Sequence, residues 1–225
     1  MSSPDIKPTR ASTRRARERD IVEATRRLFD ERGLQDAPIE DIARAVGINK
    51  ALIYRHFSSK EELFVLTLTS YLSELTGHLD GIDGGVDPIE QLEAGWSIYT
   101  DYCLEHPAFL DCSLSLMRRP AGELRERVSD AVWFRLGQGM AACLGRLSRI
   151  LARGAEEGVF AVEDPDFTAN HLYVQTLGTM HLARSGIGVR EASPGIADTF
   201  PIDPGRVRDA CIADALAAVR LVEPA

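Results

Sequence analysis

The segment that decides the fold is Ile39-Glu40-Asp41-Ile42-Ala43-Arg44-Ala45-Val46-Gly47-Ile48-Asn49-Lys50-Ala51-Leu52-Ile53-Tyr54-Arg55-His56-Phe57. Its apolar residues recur at the spacing of two short helices, and Gly47 stands at the corner between them. Glycine adopts backbone angles that other residues avoid, so a tight turn is possible there. Such a turn makes the second helix cross the first steeply, and its outer face then projects as a ridge that fits a DNA major groove.

The outer face of the second helix carries side chains that suit a polyanion. Those able to donate hydrogen bonds to phosphates or base edges are Lys50, Tyr54, Arg55 and His56. Asn49 can cap the helix or contact the DNA backbone, and Lys60 lies at the start of the next helix, where a phosphate could meet free N–H groups. The alternative is a helical hairpin with a solvated face, for which tyrosine and histidine are unusual choices.

Helical spacing extends in both directions from this segment. A polar stretch, residues 1–13, precedes a helix over 14–32, and Ser58-Ser59-Lys60-Glu61 matches a capping box that opens a fourth helix. Further helices are predicted over 88–106, 107–118, 121–157, 165–185 and 204–222, with one long loop over 186–203. We therefore predict an all-α chain with a mobile arm (1–13), a helix-turn-helix domain (14–60) and a helical body (61–225).

The net charge of −8 divides unevenly along the chain. Residues 1–60 hold 13 Lys and Arg against 9 Asp and Glu, whereas residues 61–225 hold 13 against 25. A basic head on an acidic body is expected if only the head meets nucleic acid. The basic residues of the first segment could follow phosphates or enter the minor groove, or could simply be solvated: Lys7, Arg10, Arg14, Arg15, Arg17 and Arg19.

Several classes of protein are disfavoured by what the sequence lacks. No run of about 18 apolar residues and no secretory apolar region occurs, so we expect a cytoplasmic protein. The four cysteines are widely spaced and indicate buried thiols rather than a disulfide framework or a zinc site. No phosphate loop, nucleophile elbow or zinc-protease motif is found, so we predict neither an enzyme nor a bound cofactor or metal.

The helix-turn-helix segment resembles the TetR/AcrR family of one-component repressors. Its members show a pattern close to T-[VI]-x-x-I-A-x-x-A-G-V-S-x-G-x-[LI]-Y-x-[HY]-F-x-S-K-x-x-L. The residues here that fit in register are Ile39, Ile42, Ala43, Gly47, Ile48, Lys50, Ile53, Tyr54, His56, Phe57, Ser59, Lys60 and Leu63. The resemblance covers residues 14–64 and implies a DNA-binding head on a ligand-binding, dimer-forming helical body.

The resemblance also assigns expected roles to residues of the head. Tyr54, His56 and Lys60 would contact phosphates, and Lys50 and Arg55 would lie nearest the bases. Three departures from the family pattern matter. Pro38 stands where a capping Ser or Thr is usual, Ala51 replaces the common glycine, and Leu52 replaces a phosphate-binding Thr or Ser and could instead touch a thymine methyl group.

Large, soft side chains concentrate in the central helices of the body. Most should be core, but a helical body of this size can also enclose a mostly apolar ligand cavity with a few polar anchors. The residues expected to line it are Trp96, Tyr99, Tyr102, Cys103, Phe109, Cys112, Leu116, Trp133, Phe134, Met140, His171 and Gln175. The ligand expected from this composition is small and hydrophobic.

The last two predicted helices carry stripes of small and apolar residues that suit close helix packing. The first stripe contains Leu172, Thr176, Thr179, Met180 and Ala183, and the second contains Val207, Ala210, Cys211, Asp214, Ala215, Ala218 and Leu221. They could be buried within one subunit or could pair across a two-fold axis, and the resemblance favours the dimer. Together these features predict a ligand-responsive repressor that binds a palindromic operator as a homodimer; the alternative is a helical interaction module without DNA binding.

Overall fold

The computed structural model describes residues 10–32, 38–118 and 120–219, and this part of the chain forms ten helices and one β-hairpin. In chain order the elements are α1 (Arg10–Arg32), α2 (Ile39–Ala45), α3 (Lys50–His56), α4 (Lys60–Leu79), α5 (Pro88–Glu105), α6 (Pro107–Met117), α7 (Ala121–Arg127), α8 (Asp130–Glu156), α9 (Pro165–Ser185), β1 (Ile187–Ser193), β2 (Ile196–Pro201) and α10 (Pro204–Val219). The predicted all-helical fold is confirmed, with the hairpin as an addition.

The three N-terminal helices pack into a small head. Ile21 and Phe29 from α1, Ile42 from α2, and Ile53 and Phe57 from α3 and its end are almost completely buried in it. Gly47 turns the chain between α2 and α3 with φ +69°, the left-handed conformation that glycine tolerates best. Because α1 also packs on α4, the core of the head continues into that of the body.

The body is a bundle in which α4, α5, α8, α9 and α10 are the main partners. α4 packs along α8, and α8 along α9, while α10 lies against both α5 and α9. The apolar stripe of α4, formed by Leu68, Leu72 and Leu75, faces inward and is buried. α4 therefore packs against both units, with its N-terminal end beneath the head.

Several predicted boundaries differ from the structure. α1 already begins at Arg10, so the predicted arm is helical from there, and residues 1–9 lie outside the described residues. The capping box is one residue later than predicted: Ser59 caps α4 by accepting from the Glu62 N–H at 3.0 Å, and Glu62 accepts from the Ser58 N–H. Pro38 is the residue before α2 and gives no side-chain cap, as its position in the sequence suggests.

The single helix predicted over 121–157 is wrong, because extended backbone at Val128 and Ser129 divides it into α7 and α8. The Ser129 hydroxyl donates to the Glu62 carboxylate at 2.5 Å instead of capping α8. Burial would raise the pKa of Glu62, but hydrogen bonds from Ser129 and Ser58 outweigh it and hold the pKa below its usual range. A charged, buried carboxylate thus joins the start of α4 to the start of α8.

The loop predicted over 186–203 is also wrong, because most of it forms an antiparallel hairpin. Ile187 pairs with Pro201 and Val189 with Thr199, and Gly195 turns the chain with φ +77°. The Phe200 ring lies over Gly188, where an added Cβ would come within 2.4 Å of it. The glycines that indicated a loop are therefore used for the turn and for a close side-chain contact.

Candidate functional site

The outer face of α3 is an exposed ridge on the head. Lys50, Ala51, Tyr54 and Arg55 are exposed there, whereas Ile53 on the opposite face is buried. Asn49 caps the helix, its Oδ1 accepting from the Leu52 N–H at 2.8 Å. Hence the buried face fixes the helix, and the exposed face is available to a partner along two turns.

Lys50 has an acidic partner on the neighbouring helix. Its Nζ donates to Glu40 Oε1 at 2.6 Å across the turn, and both side chains are about half exposed. The hydrogen bond lowers the pKa of Glu40 and raises the pKa of Lys50. To reach a phosphate or a base, Lys50 must exchange this carboxylate for the new acceptor.

His56 is the last residue of α3 and Lys60 the first of α4, and the two differ in exposure. The His56 side chain is only 13% exposed and lies against α1, with Nδ1 3.7 Å from Glu18 Oε1 and without a hydrogen-bond partner. Lys60 is exposed at the first position of α4, beside the capping serine. Of the three residues expected to grip phosphates, Tyr54 and Lys60 are therefore open to a partner, and His56 is mostly covered.

The basic residues of α1 are partly neutralised within the helix. Arg14 Nε donates to Glu18 Oε1 at 2.8 Å, and Arg17 lies 3.9 Å from Asp20. Surface pairs of this kind contribute little to stability and are readily exchanged for another anion. Lys7 lies outside the described residues.

A cavity of about 60 Å³ lies in the body between α4, α5, α6, α8 and α9. Its lining is almost wholly apolar and consists of Leu72, Leu75, Leu79, Ile82, Leu92, Gly95, Trp96, Tyr99, Phe109, Met140, Cys143, Leu144, Arg146, Leu147, Ile150 and Tyr173. The Tyr99 hydroxyl is buried without a hydrogen-bond partner of good geometry, with the Cys103 thiol beside it. Burial raises the pKa of Tyr99 well above its usual value, so the hydroxyl stays neutral and can donate.

Only four of the residues predicted to bind a ligand line this cavity: Trp96, Tyr99, Phe109 and Met140. Tyr102, Cys103 and Cys112 are buried in the core away from it, and Leu116 lines a separate cleft beside α7. Trp133 is half-buried, while Phe134 is 65% exposed and His171 and Gln175 lie on the outer face of α9.

The residues that lie away from the cavity do so because of the side of the helix on which they fall. On α8 the inner stripe runs through Val132, Leu136 and Met140, and Phe134 falls on the opposite side. The sequence alone assigns no ligand-binding role to the leucines of α4 or to the Cys143–Ile150 stretch of α8. Their helical spacing is visible, but nothing in it distinguishes a cavity wall from a filled core.

The residues predicted for a dimer interface divide between the inside and the outside of the subunit. Buried within it are Leu172, Thr176, Met180, Val207, Cys211 and Ala215. Thr179 and Ala183 are half-buried, Ala210, Asp214 and Ala218 are exposed, and Leu221 lies outside the described residues. Thr176 also accepts from the Trp96 indole N–H at 3.0 Å, so the first stripe serves the core of its own chain.

The outer face of α9 is exposed and carries several large apolar side chains. Phe167, His171, Val174, Gly178 and Leu182 follow one another along it at helical spacing, and all are exposed. An added Cβ at Gly178 would meet nothing within 4 Å in the subunit. We call this surface the α9 outer face.

Comparison with known proteins agrees with this geometry. Residues 21–66 match the family described as bacterial regulatory proteins, tetR family. The match is to the N-terminal head, from Ile21 in α1 to Leu66 in α4. The transcriptional repressor KstR2 of Mycobacterium tuberculosis is 34% identical over 79 residues, which are 35% of this chain and 40% of that protein. The aligned part thus spans about two-fifths of that relative's length.

Solved structures extend the similarity to the body. The TetR-family regulator PfmR of Thermus thermophilus matches with a TM-score of 0.57 and 25% identity, covering 88% of this chain and 97% of that one. RolR in complex with resorcinol matches with a TM-score of 0.68 and 19% identity, covering 93% and 90%. At such identities the second match shows a shared fold, and the ligand named belongs to RolR.

Two further kinds of site are absent from the described residues. None of the helices there is long and apolar enough to cross a membrane. In the same part of the chain, no group of three or more His, Cys, Asp or Glu side chains could hold a metal ion.

The Glu40–Lys50 pair gives a first prediction. Glu40→Gln removes the carboxylate that competes with DNA for Lys50, so the affinity for duplex DNA at low salt should rise by about two- to fivefold, the scale of an exposed ion pair. Fluorescence anisotropy with a labelled duplex measures it. The matched control is Glu31→Gln, which removes one exposed negative charge from α1. An equal gain in both variants would show that only net charge matters.

Proposed function

We propose that the protein is a transcriptional repressor that binds a palindromic DNA operator as a homodimer and is released by a small hydrophobic ligand. The observation that carries the proposal is the exposed ridge of α3, held outward by its buried opposite face in a TetR-family head. The named relatives are transcriptional regulators, which argues for regulation rather than catalysis. KstR2 is described as a ketosteroid transcriptional regulator and RolR holds resorcinol, and compounds of such apolar character would suit the cavity here.

DNA binding would use both the ridge and the start of α4. Tyr54 and Arg55 project from α3, and Lys60 stands at the N-terminal end of α4, where free N–H groups and the helix dipole favour an anion. A recognition helix of seven residues reads only a few base pairs. Two heads on one palindromic site would supply the remaining specificity.

The size of the cavity suggests how a ligand would act. At about 60 Å³ it is smaller than the ~150 Å³ cavity known to hold benzene. A ring-sized ligand must therefore push lining side chains apart, and the flexible Met140 is the one best able to move. Binding would thus favour an expanded body over the contracted one described here.

A chain of contacts runs from the cavity to the head. The Tyr99 ring meets Phe109 edge-on at 6.4 Å, and Phe109 lies 5.2 Å from Tyr102 and 6.0 Å from Tyr71. The Tyr71 hydroxyl donates to Asp30 of α1 at 2.7 Å, and the guanidinium of another α1 residue, Arg26, stacks over the Tyr71 ring at 4.2 Å. The Arg26 guanidinium thus gives Tyr71 a second, charged contact with α1.

The same cluster ends in a polar junction at the surface of the subunit. The Tyr102 hydroxyl donates to Glu74 at 2.9 Å, and Arg26 forms a short ion pair with the same carboxylate. Movement of Phe109 would therefore disturb contacts that orient α1, and with it the head. Since two DNA half-sites lie about 34–36 Å apart, a small rotation of each head would be enough to weaken binding.

Dimer formation would use the α9 outer face together with the exposed face of α10. Gly178 and the alanines of α10 allow two helices to approach closely, and Val174 and Leu182 supply apolar area. A two-fold axis would bury the same surface on both subunits.

Arg55 tests the DNA-binding part of the proposal. If Arg55 reads a guanine, Arg55→Ala should cost about 1–3 kcal/mol at that one base and relax the preference there. The measurement is binding to a set of single-base variants of the operator. Arg44→Ala, which removes an exposed arginine from α2 away from the ridge, is the control. Uniform weakening on every duplex would mean that Arg55 grips only phosphate, and no binding by the wild type would favour an interaction module.

Tyr99 tests the ligand-binding part. Phenol should raise the melting temperature more than benzene, because its oxygen can accept from the unpaired Tyr99 hydroxyl, a contact worth about 1 kcal/mol. Tyr99→Phe should abolish the difference between the two probes. Tyr173→Phe, which alters another tyrosine of the lining, should leave the preference in place. A preference for phenol that persists in Tyr99→Phe would contradict this anchor.

A further inference from the structure

The hairpin between α9 and α10 projects from the subunit that builds it. Its strands pair with each other, and beyond them β1 contacts mainly the end of α9. One face carries Phe200, with Gly188 beneath it and Arg190 above. The Arg190 guanidinium also pairs with Asp198 across the strands at 2.7 Å. This face is therefore satisfied within the hairpin.

The other face is apolar and has no cover within the described part of the subunit. Ile187 and Val189 alternate along β1, with Thr199 and Pro201 opposite them on β2. Val189 is 71% exposed and Ile187 57%. We call this surface the hairpin outer face.

A projecting two-stranded hairpin of this kind is poorly stable alone. Isolated hairpins are marginal in water, and both strands here are edges with unpaired backbone groups. An apolar face on such an element stabilises it only when another surface covers it. The hairpin would therefore be stabilised by a second surface that covers its apolar face.

The position of the hairpin indicates which surface covers it. Of the nine large hydrophobic side chains that are exposed in the described residues, six lie on one continuous stretch: Phe167, Val174, Leu182, Ile187, Val189 and Ile196. The exposed apolar residues of α9 are therefore followed directly along the chain by those of the hairpin. The cover should be the same molecule that covers the α9 outer face.

Two-fold symmetry fixes where the hairpin would reach. When the two-fold axis crosses the centre of α9 at right angles to the helix, the helix and its copy run antiparallel. The C-terminal end of one α9 then lies beside the N-terminal end of the other. The hairpin, which follows directly after α9, is thereby brought to the start of the second copy's α9, where Phe167 is 68% exposed and stacked on His171.

We infer that the hairpin is a clasp that lays Ile187 and Val189 over Phe167 and His171 of a second copy of this chain. The inference rests on the proposed homodimer and adds to it an element outside the helical interface. Each subunit both gives and receives a clasp. The hairpin carries Arg190, Glu191 and Asp198 as its charged residues, so it offers no basic surface that would draw it to DNA instead.

The first test measures the dimer dissociation constant of the full chain by analytical ultracentrifugation. Val189→Asp should raise it by about tenfold or more, because burying an unpaired carboxylate is costly. Val189→Thr, which keeps the branched shape and the strand preference, should raise it far less. Equal dissociation constants for wild type and Val189→Asp would overturn the inference, provided that circular dichroism shows both folded.

A second variant separates this inference from the proposed dimer. Gly178→Arg fits the isolated subunit, where nothing lies within 4 Å of the added Cβ, but would block close approach across the axis. If Gly178→Arg dissociates and Val189→Asp does not, the helical dimer stands and the clasp is wrong. If neither variant dissociates, the proposed interface through α9 and α10 is wrong. The inferred clasp, which rests on that interface, is then wrong too.

Proximity gives a direct check that does not depend on stability. A chain with Val189→Cys and a differently tagged chain with His171→Cys are mixed and treated with a short bismaleimide. The clasp predicts cross-linking between the two tags at a rate well above that of wild-type chains, whose cysteines are buried or half-buried. Failure to link the two tags under conditions where the chains dimerise would contradict it.

Discussion

Everything proposed for this protein depends on the burial of Ile53 and Phe57 beneath α3. These side chains anchor a helix of only seven residues, too short to be stable alone, and so determine which side of it faces water. The tight turn at Gly47 sets the crossing of α2 and α3, and the Asn49 cap begins α3 at a defined residue. The surface proposed to bind DNA is exposed because burial of the inner face of α3 holds its outer face towards solvent.

The rest of the molecule can be understood as a means of positioning two such ridges. α4 begins beneath the head, where Glu62 ties it to α8, and it ends as one wall of the cavity. A cluster of aromatic and charged side chains joins that wall to α1. The α9 outer face and the hairpin would then set the distance between two subunits. In this proposal the ligand, α4 and the dimer interface all act on the separation of the two heads.

The sequence predicts the helices well because long amphipathic segments carry their own periodicity, as in α4 and α9. Its predictions are wrong where a local sequence feature is compatible with two different structures. Pro194 and Gly195 mark a turn in a hairpin as well as in a loop, and a break at Val128–Ser129 depends on a hydrogen bond to distant Glu62. Trp96 and Tyr99 do line the cavity, but Phe134 does not, because it lies on the side of α8 opposite the buried Val132 and Leu136. Contacts such as Lys50 with Glu40 involve two helices and follow only from their crossing angle.

The most direct test of the central claim is a titration of the full chain with duplex DNA from its own promoter region, repeated at several salt concentrations. The account predicts two chains per duplex, with an affinity that falls steeply as salt rises because Lys and Arg side chains of the head displace counterions from phosphates. No binding at low salt, or binding that is indifferent to salt, would contradict it.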